Sequence, residues 1–256
     1  MILTIDIGNT NIVIGCIEKE KIHFISRLET DKNKTEDEYA ISFKNLISLY
    51  GISSDDIQGC IISSVVPQLT TIQKQALKRA TGKNPVVVDC NIKSDLEIKI
   101  DNPQQLGSDL LVASVAAINK YKAPIIIFDM GTATTVSVID KSGALIGGML
   151  MPGVKISLEA LSLRTSQLPS ISLEAPKNII GTNTIDCMQS GIINGNAAMM
   201  DGIIERINEQ LGETATVLAT GGLSSMIVPH CKHNIILDTN LLLRGLSVLH
   251  EKNSDK

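Results

Sequence analysis

Ile2-Leu3-Thr4-Ile5-Asp6-Ile7-Gly8-Asn9-Thr10 and Ile125-Ile126-Ile127-Phe128-Asp129-Met130-Gly131-Thr132-Ala133 are two copies of one pattern. Each is an apolar run that ends in Asp-x-Gly and then in hydroxyl or amide side chains. Each continues as a β-branched run, Ile12-Val13-Ile14-Gly15-Cys16-Ile17 in one and Thr134-Thr135-Val136-Ser137-Val138-Ile139 in the other. A polar stretch follows in both, and then a renewed strand-like pattern. The two acids stand nearly half of the 256-residue chain apart. An internal repeat of this kind predicts a duplicated lobe that opens with a β-hairpin.

Working outward, the rest of each half alternates helix-like and strand-like segments. Stretch 36–50 puts Tyr39, Phe43, Leu46 and Ile47 on one helical face. A strand is predicted over 59–66, a helix over 68–81 stopped by Gly82, a short strand over 85–89, and a helix over 106–121 that leads to Pro124. In the second half, helices are predicted over 157–163, 186–211 and 240–250, with strands at 217–220 and 235–237. The tail 251–256 reads as frayed. The fold class is therefore α/β. Lobes at 1–122 and 123–256 each carry a mixed sheet flanked by helices, and the closing helix is free to pack back on the first lobe. With no low-complexity linker, the two are expected to couple closely around a cleft, where ligand sites commonly form.

Composition excludes several classes. Hydrophobic residues make up 43% of the chain, yet there is no Trp and only three Phe and three Tyr. Single-stranded nucleic-acid binding usually needs aromatic stacking platforms. The formal net charge of −4 argues the same way, because phosphate-backbone binding needs a positive surface. No signal peptide is read at the start, and no apolar run approaches the roughly 20 residues of a membrane helix. The five cysteines, Cys16, Cys60, Cys90, Cys187 and Cys231, are scattered with no Cys-x-x-Cys pair. They read as reduced thiols of a cytoplasmic protein. His23, His230, His233 and His250 form no metal set, and His230 and His233 read as surface residues. The methionines, among them Met149, Met188 and Met200, read as core or interface filler.

The chemistry lies in the repeat. An apolar strand delivers the Asp6 carboxylate to a tight turn, where Gly8 lets backbone approach a ligand closely. Asn9, Thr10 and Asn11 add side-chain donors, and turn amides can point at a phosphate. Taken alone, this is as consistent with an ordinary hairpin. The copy at Asp129-Met130-Gly131-Thr132 changes the balance. Two facing hairpins would grip terminal phosphates from both sides, with a carboxylate near bound Mg²⁺. Ala219-Thr220-Gly221-Gly222 adds glycines directly after an apolar strand. No Walker-type P-loop occurs.

These motifs resemble the acetate and sugar kinase, heat-shock chaperone and actin superfamily, in which two ribonuclease-H-like lobes clasp ATP. Their order is similar to that of the type III pantothenate kinases. The matching stretches are Asp6-Ile7-Gly8-Asn9-Thr10, Ser64-Val65-Val66-Pro67, Asn102-Pro103 with Leu106-Gly107-Ser108-Asp109, Asp129 to Thr135, Gly147-Gly148-Met149-Leu150-Met151-Pro152-Gly153, Asn183-Thr184 and Thr220-Gly221-Gly222. Asp-x-Gly is common across the superfamily. Gly-x-Asp joined to Gly-Gly-x-x-x-Pro-Gly is far more specific.

The resemblance implies ATP-dependent phosphorylation of pantothenate, the first step toward coenzyme A. It implies ATP contacts from Asp6, Ile7, Gly8, Asn9, Thr10, Asn11, Ile12, Val13 and Thr132. Asp109 matches the catalytic base, and Gly107, Ser108, Asp109 and Leu110 match the substrate-lining stretch. Asp129 matches the ligand of a monovalent cation, K⁺ or NH₄⁺. Thr184 matches a substrate contact made from the other subunit of a homodimer with a shared site. Read as plain structure, Asp109 is a helix N-terminal acid and Thr184 an N-cap. Two positions depart from the pattern, with Leu110 where the family usually has Arg and Ile100 where it tends to have Tyr. The missing guanidinium removes a fork suited to carboxylates. Either pantothenate is held more weakly or by other groups, or position 110 serves packing. Two alternatives stay open: a kinase for another small hydroxyl compound, and a non-catalytic nucleotide-binding regulator.

Overall fold

The computed structural model describes residues 1–254. In chain order the elements are β1 (Ile2–Ile7), β2 (Asn11–Glu18), β3 (Lys21–Glu29), α1 (Glu36–Leu49), β4 (Gly59–Ser64), α2 (Pro67–Thr81), β5 (Val86–Val87), α3 (Ser108–Lys120), β6 (Ile125–Met130), β7 (Ala133–Ile139), β8 (Leu145–Pro152), α4 (Val154–Arg164), α5 (Thr184–Leu211), β9 (Thr216–Thr220), α6 (Ser224–Ile227), β10 (Ile236–Leu237) and α7 (Leu241–Asn253). Two compact units result. One holds Met1–Leu96, Asp101–Asn119 and the chain from Asn240 onward, and the other holds Glu97–Ile100 and Lys120–Thr239.

The duplication is visible in the strand order. The first sheet runs β3-β2-β1-β4-β5 and the second β8-β7-β6-β9-β10. In each, the opening three strands are an antiparallel meander, and the central strand then pairs in parallel with the strand that follows a helix. Apolar residues, most of them β-branched, drive this. Ile5 pairs with Ile14 and Ile62, and Phe128 pairs with Val136 and Ala219. All six are buried. Fully burying one Ile or Phe contributes about 1.5–3 kcal/mol. The first core joins Ile5, Ile7, Ile14 and Ile62 to Tyr39, Phe43 and Leu77 of α1 and α2. The second joins Phe128, Met130 and Val136 to Met188, Ile193, Met200 and Ile204 of α5.

Local signals set the helix ends. Thr35 and Glu38 form a capping box at α1, and Pro67 opens α2. Gly82 and Gly212 take left-handed φ values of 71° and 72° to close α2 and α5.

Several expectations need correction. The strand expected at 85–89 reduces to Val86–Val87, because β5 is an edge strand paired on one side. The helix expected at 157–163 starts at Val154 and runs to Arg164, with Ser157 N donating to Gly153 O. The tail is less frayed than expected. Glu251 to Asn253 are helical, and Asn253 is tied to Lys93 in both directions. Asp255 and Lys256 lie outside the described residues. Segment Glu97–Ile100 pairs with the second unit, where Leu145 exchanges backbone bonds with Glu97 and Lys99. The closing helix α7 belongs to the first unit. Gly59, lacking a side chain, leaves room for the His250 ring, and Gly15 does the same for Leu243.

Candidate active site

The register of β1 and β2 sets Asp6 opposite Val13 and Ile7 opposite Ile12. Gly8 N donates to Asn11 O at 3.0 Å and closes the turn. A Cβ on Gly8 would lie 3.1 Å from that carbonyl, so part of the glycine's role is the turn itself. The end of β3 braces it, since Thr30 Oγ1 donates to Gly8 O at 2.7 Å and Thr30 N to Thr10 O at 3.0 Å. Asn9, Thr10 and Asn11 are exposed at the tip, while Ile7 and Ile12 are buried beneath it. The turn is thus a fixed platform of exposed polar groups on a core-anchored stem.

On its other side β1 pairs with β4, which sets Asp6 beside Ser63 and Ile7 beside Ser64. Val65 N donates to Ile7 O at 3.0 Å and prolongs the pairing past the strand. The start of α3 docks on this strand end, with the Ser108 hydroxyl bonded to both serines. Asp109 stands in the first turn, with its Oδ1 accepting from Leu110 N at 2.8 Å. A helix N-terminus favours a carboxylate, but here burial is the larger effect and pushes the Asp109 pKa up. A carboxylate that takes up protons readily and has no cationic partner among the described residues suits a general base. Gly107 is required for its pose, because a Cβ there would sit 2.5 Å from Asp109 Oδ1.

In the second unit Asp129 pairs with Thr135 on β7 and Thr220 on β9. The chain then turns at Gly221, whose φ is 87°. A Cβ at Gly221 would lie 2.6 Å from Asp129 Oδ1 and 2.6 Å from the Met130 backbone. The Thr-Gly-Gly glycine therefore packs directly on the Asp129 turn. Gly153, which ends the Gly-Gly-x-x-x-Pro-Gly stretch, abuts the carbonyls of Gly131 and Thr132 from the other flank. The three motifs are far apart in sequence, and the fold gathers them at one turn. The result is a carboxylate closely packed against main chain, and a carboxylate oxygen is a hard donor of the kind a phosphate-bound Mg²⁺ takes. Among the described residues, no group of three or more His, Cys, Asp or Glu has metal-holding geometry. Mg²⁺ on a nucleotide needs no such group, because it takes one or two carboxylates with phosphate oxygens and water.

Thr184 is placed elsewhere. It is the first residue of α5, and the N-cap is Asn183, whose side chain accepts from Asp186 N at 3.0 Å. The N-cap reading of Thr184 is thereby corrected: the Asn183 amide oxygen caps the N–H three residues on, and Thr184 is already inside the first turn. With Leu161, Leu168, Cys187, Met188 and Ile192, Thr184 lines an open, mainly apolar groove of 710 Å³ that includes no hairpin residue. Leu163, Ile179 and Ile180 are at least 75% exposed in the same region.

Other groups are structural. His233 is not a bare surface residue, since its backbone N and Nδ1 both meet Asp201 Oδ1, at 3.0 and 3.1 Å. All five cysteines are free. Burial lifts the thiols of Cys16, Cys60 and Cys231 to about 11, which removes them from nucleophilic chemistry at neutral pH. Leu110 is half-buried beside Gly107. No described helix is long and apolar enough to cross a membrane.

Comparison with known proteins agrees with this arrangement. Among solved structures, component A of (R)-2-hydroxyglutaryl-CoA dehydratase from Acidaminococcus fermentans matches with a TM-score of 0.57 at 14% identity, covering 95% of this chain and 93% of that one. The activator of 2-hydroxyisocaproyl-CoA dehydratase from Clostridium difficile, solved with bound ADPNP, matches with a TM-score of 0.56 at 15% identity, covering 95% and 90%. At such identities these share the fold. Sequence relatives are much nearer. The type III pantothenate kinase of Halalkalibacterium halodurans is 42% identical over 253 residues, 99% of this chain and 100% of the relative. That of Geobacillus sp. is 42% identical over 257 residues, 100% and 99%. The sequence profile of type III pantothenate kinase matches residues 2–206, which include both hairpins, Asp109 and Thr184. The chain belongs to the type III pantothenate kinase family.

Proposed function

We propose that the protein transfers the γ-phosphoryl group of ATP to the terminal hydroxyl of pantothenate, forming 4′-phosphopantothenate for coenzyme A synthesis. The observation that carries this reading is Asp109, a half-buried acid with a raised proton affinity, held one β-strand away from an Asp-x-Gly turn in a chain of this family. Residues 6–13 and Thr132 bind ATP. Gly107, Asp109 and Leu110 line the pantothenate pocket. Asp109 orients the substrate hydroxyl for in-line attack and accepts its proton as the new P–O bond forms and the bond to the ADP oxygen breaks. Phosphoryl transfer needs mostly positioning and neutralised charge, and the braced hairpins supply positioning.

ATP would be taken as its Mg²⁺ complex, in which the metal would neutralise charge on the phosphates. Asp129 would hold K⁺ or NH₄⁺, whose positive charge would help to offset the phosphates, a role supported by the carboxylate packed against main chain at Gly221. ATP as donor and five unpaired thiols support a cytoplasmic setting. The protein acts as a homodimer in which Thr184 is supplied to the partner subunit's pantothenate site. Its place in an open, mainly apolar groove, with Leu163 and Ile180 exposed close by in sequence to lining Leu161 and Gly181, supports this.

The test is coupled ADP release, with and without K⁺ or NH₄⁺, for pantothenate and for a panel of sugars. Cation-stimulated release with pantothenate alone is expected. Release with a sugar alone moves the reading to a sugar kinase. Nucleotide binding without release for any acceptor leaves a non-catalytic relative.

A further inference from the structure

Ser108 falls inside the stretch matched to the substrate pocket, yet its hydroxyl is fully occupied. A serine hydroxyl has one proton to donate and two lone pairs to accept with. Ser108 Oγ donates to Ser64 O at 3.1 Å, accepts from Ser64 N at 3.1 Å and accepts from Ser63 Oγ at 3.1 Å. To touch a substrate it must give up a bond to β4. The Ser63 side chain has no exposed surface, so its loss of a partner is not made good by water.

The position of this three-way contact gives it meaning. Ser63 and Ser64 are the last two residues of β4 and pair with Asp6 and Ile7, the last two of β1. Ser108 directly precedes Asp109. Between β5 and α3 the chain runs from Val88 to Gly107 with no strand and no helix beyond one short turn at Pro103–Gln105. The first turn of α3 therefore arrives at the end of an irregular connection and needs a tie to the sheet. The repeat sharpens the point. The place held by Ser63-Ser64 in the first sheet is held in the second by Thr220, followed by Gly221, where main chain packs on Asp129. One topological position thus serves two ends: bare backbone against a carboxylate in the second unit, and a hydroxyl clasp for α3 in the first.

We infer that Ser63 and Ser108 are positioning residues: they clasp the start of α3 to the end of β4 and so fix the Asp109 carboxylate relative to the Asp6 hairpin. This rests on the reading of Asp109 as the base. A displacement near 1 Å at a reacting group can cost on the order of 100-fold in rate, so a partial loosening of the clasp should cost about tenfold, and loss of the Ser108 hydroxyl, which makes all three bonds, up to about 100-fold.

The experiment compares Ser63→Ala, Ser108→Ala, Ser108→Thr and the double alanine variant with wild type and Asp109→Asn, each checked for folding by thermal melting. The clasp predicts that Ser63→Ala, which removes one bond, lowers kcat about tenfold, and that Ser108→Ala, which removes all three, lowers it at least as much, both with little change in KM for pantothenate. The double variant should be little worse than Ser108→Ala, because that change already removes the Ser63–Ser108 bond. Ser108→Thr, which keeps the hydroxyl, should retain most of the rate. A raised pantothenate KM at unchanged kcat in Ser108→Ala, with Ser63→Ala near wild type, assigns Ser108 to substrate contact and overturns the clasp. So does unchanged kcat in both. If Ser108→Ala does not fold, Ser63→Ala and Ser108→Thr decide. An Asp109→Asn variant that keeps its turnover instead removes the base reading, whatever the serines do.

Discussion

Gly221→Ala and its neighbour Gly222→Ala make a matched pair whose difference follows from the backbone. Gly221 has φ of 87°, a region that costs a residue with a Cβ about 1–2 kcal/mol. Its Cβ would also lie 2.6 Å from Met130 N, Met130 C and Asp129 Oδ1. Two of those three atoms are main chain of β6, whose strand is buried and paired on both sides, so they cannot retreat cheaply. Overpacking of this kind costs about 1–3 kcal/mol. The sum is about 2–5 kcal/mol for Gly221→Ala. At Gly222 nothing lies within 4 Å of an added Cβ, and the change should stay within about 0.5 kcal/mol. Urea titration of the three proteins, with a common slope, measures this directly. The functional consequence is separate. The Gly221→Ala protein that remains folded should need more K⁺ or NH₄⁺ for half-maximal activity, because the intruding methyl group displaces the Asp129 carboxylate. Equal stability of the two alanine variants would refute the packing of Thr220-Gly221 on the Asp129 turn.

Other expectations can be checked as simply. Gly107→Ala forces the Asp109 carboxylate out of its pose and should lower kcat by roughly 10- to 100-fold, with a melting temperature near wild type. Because burial raises the Asp109 pKa, the acid limb of kcat/KM should fall above the ordinary carboxylate range. The same shift has a stability sign. A raised folded-state pKa means the native protein binds more protons than the unfolded chain, so this group's favourable contribution is present at low pH and lost as pH rises through the folded pKa. Asp109→Asn should therefore be no less stable than wild type at pH 7 by urea titration, while its turnover is gone. Alkylation at neutral pH should label exposed Cys90 and Cys187 and leave Cys16 and Cys60 unlabelled until unfolding. Cys187 lies in the groove assigned to the second subunit, so its labelling should slow as protein concentration rises through the dimerisation range, followed alongside light scattering.

Much of the fold was legible because the repeat is written in residues whose physics is local. Two apolar runs ending in Asp-x-Gly specify hairpins, and β4 and β9 each follow as short β-branched strands. The matching strand orders are what a duplicated unit requires. Boundaries were less legible where tertiary pairing decides them. Val86–Val87 is short because an edge strand ends where its one neighbour ends, and Glu97–Ile100 joins the second unit through backbone bonds that no side-chain pattern announces. At the site, the acids and glycines were legible as types but not as partners. Nothing in the spacing of Gly221 or Gly153 reveals that both press on the Asp129 turn. Ser108 stands in the stretch that matches the pocket lining, and no spacing announces its hydroxyl's bonds to β4, 44 residues away in sequence. Asn183 was legible as a cap by residue type, since Asn leads Thr in that role, and the adjacent Thr184 obscured it.

The central claim is tested most directly by identifying the product. Purified protein is incubated with MgATP, pantothenate and K⁺, and the quenched mixture is analysed by mass spectrometry, with Asp109→Asn in parallel and its ATP affinity measured by calorimetry. The account predicts 4′-phosphopantothenate and ADP in a one-to-one ratio from the wild type, and no product from Asp109→Asn at unchanged ATP affinity. Free phosphate in place of phosphopantothenate, or a variant as active as the wild type, would contradict it.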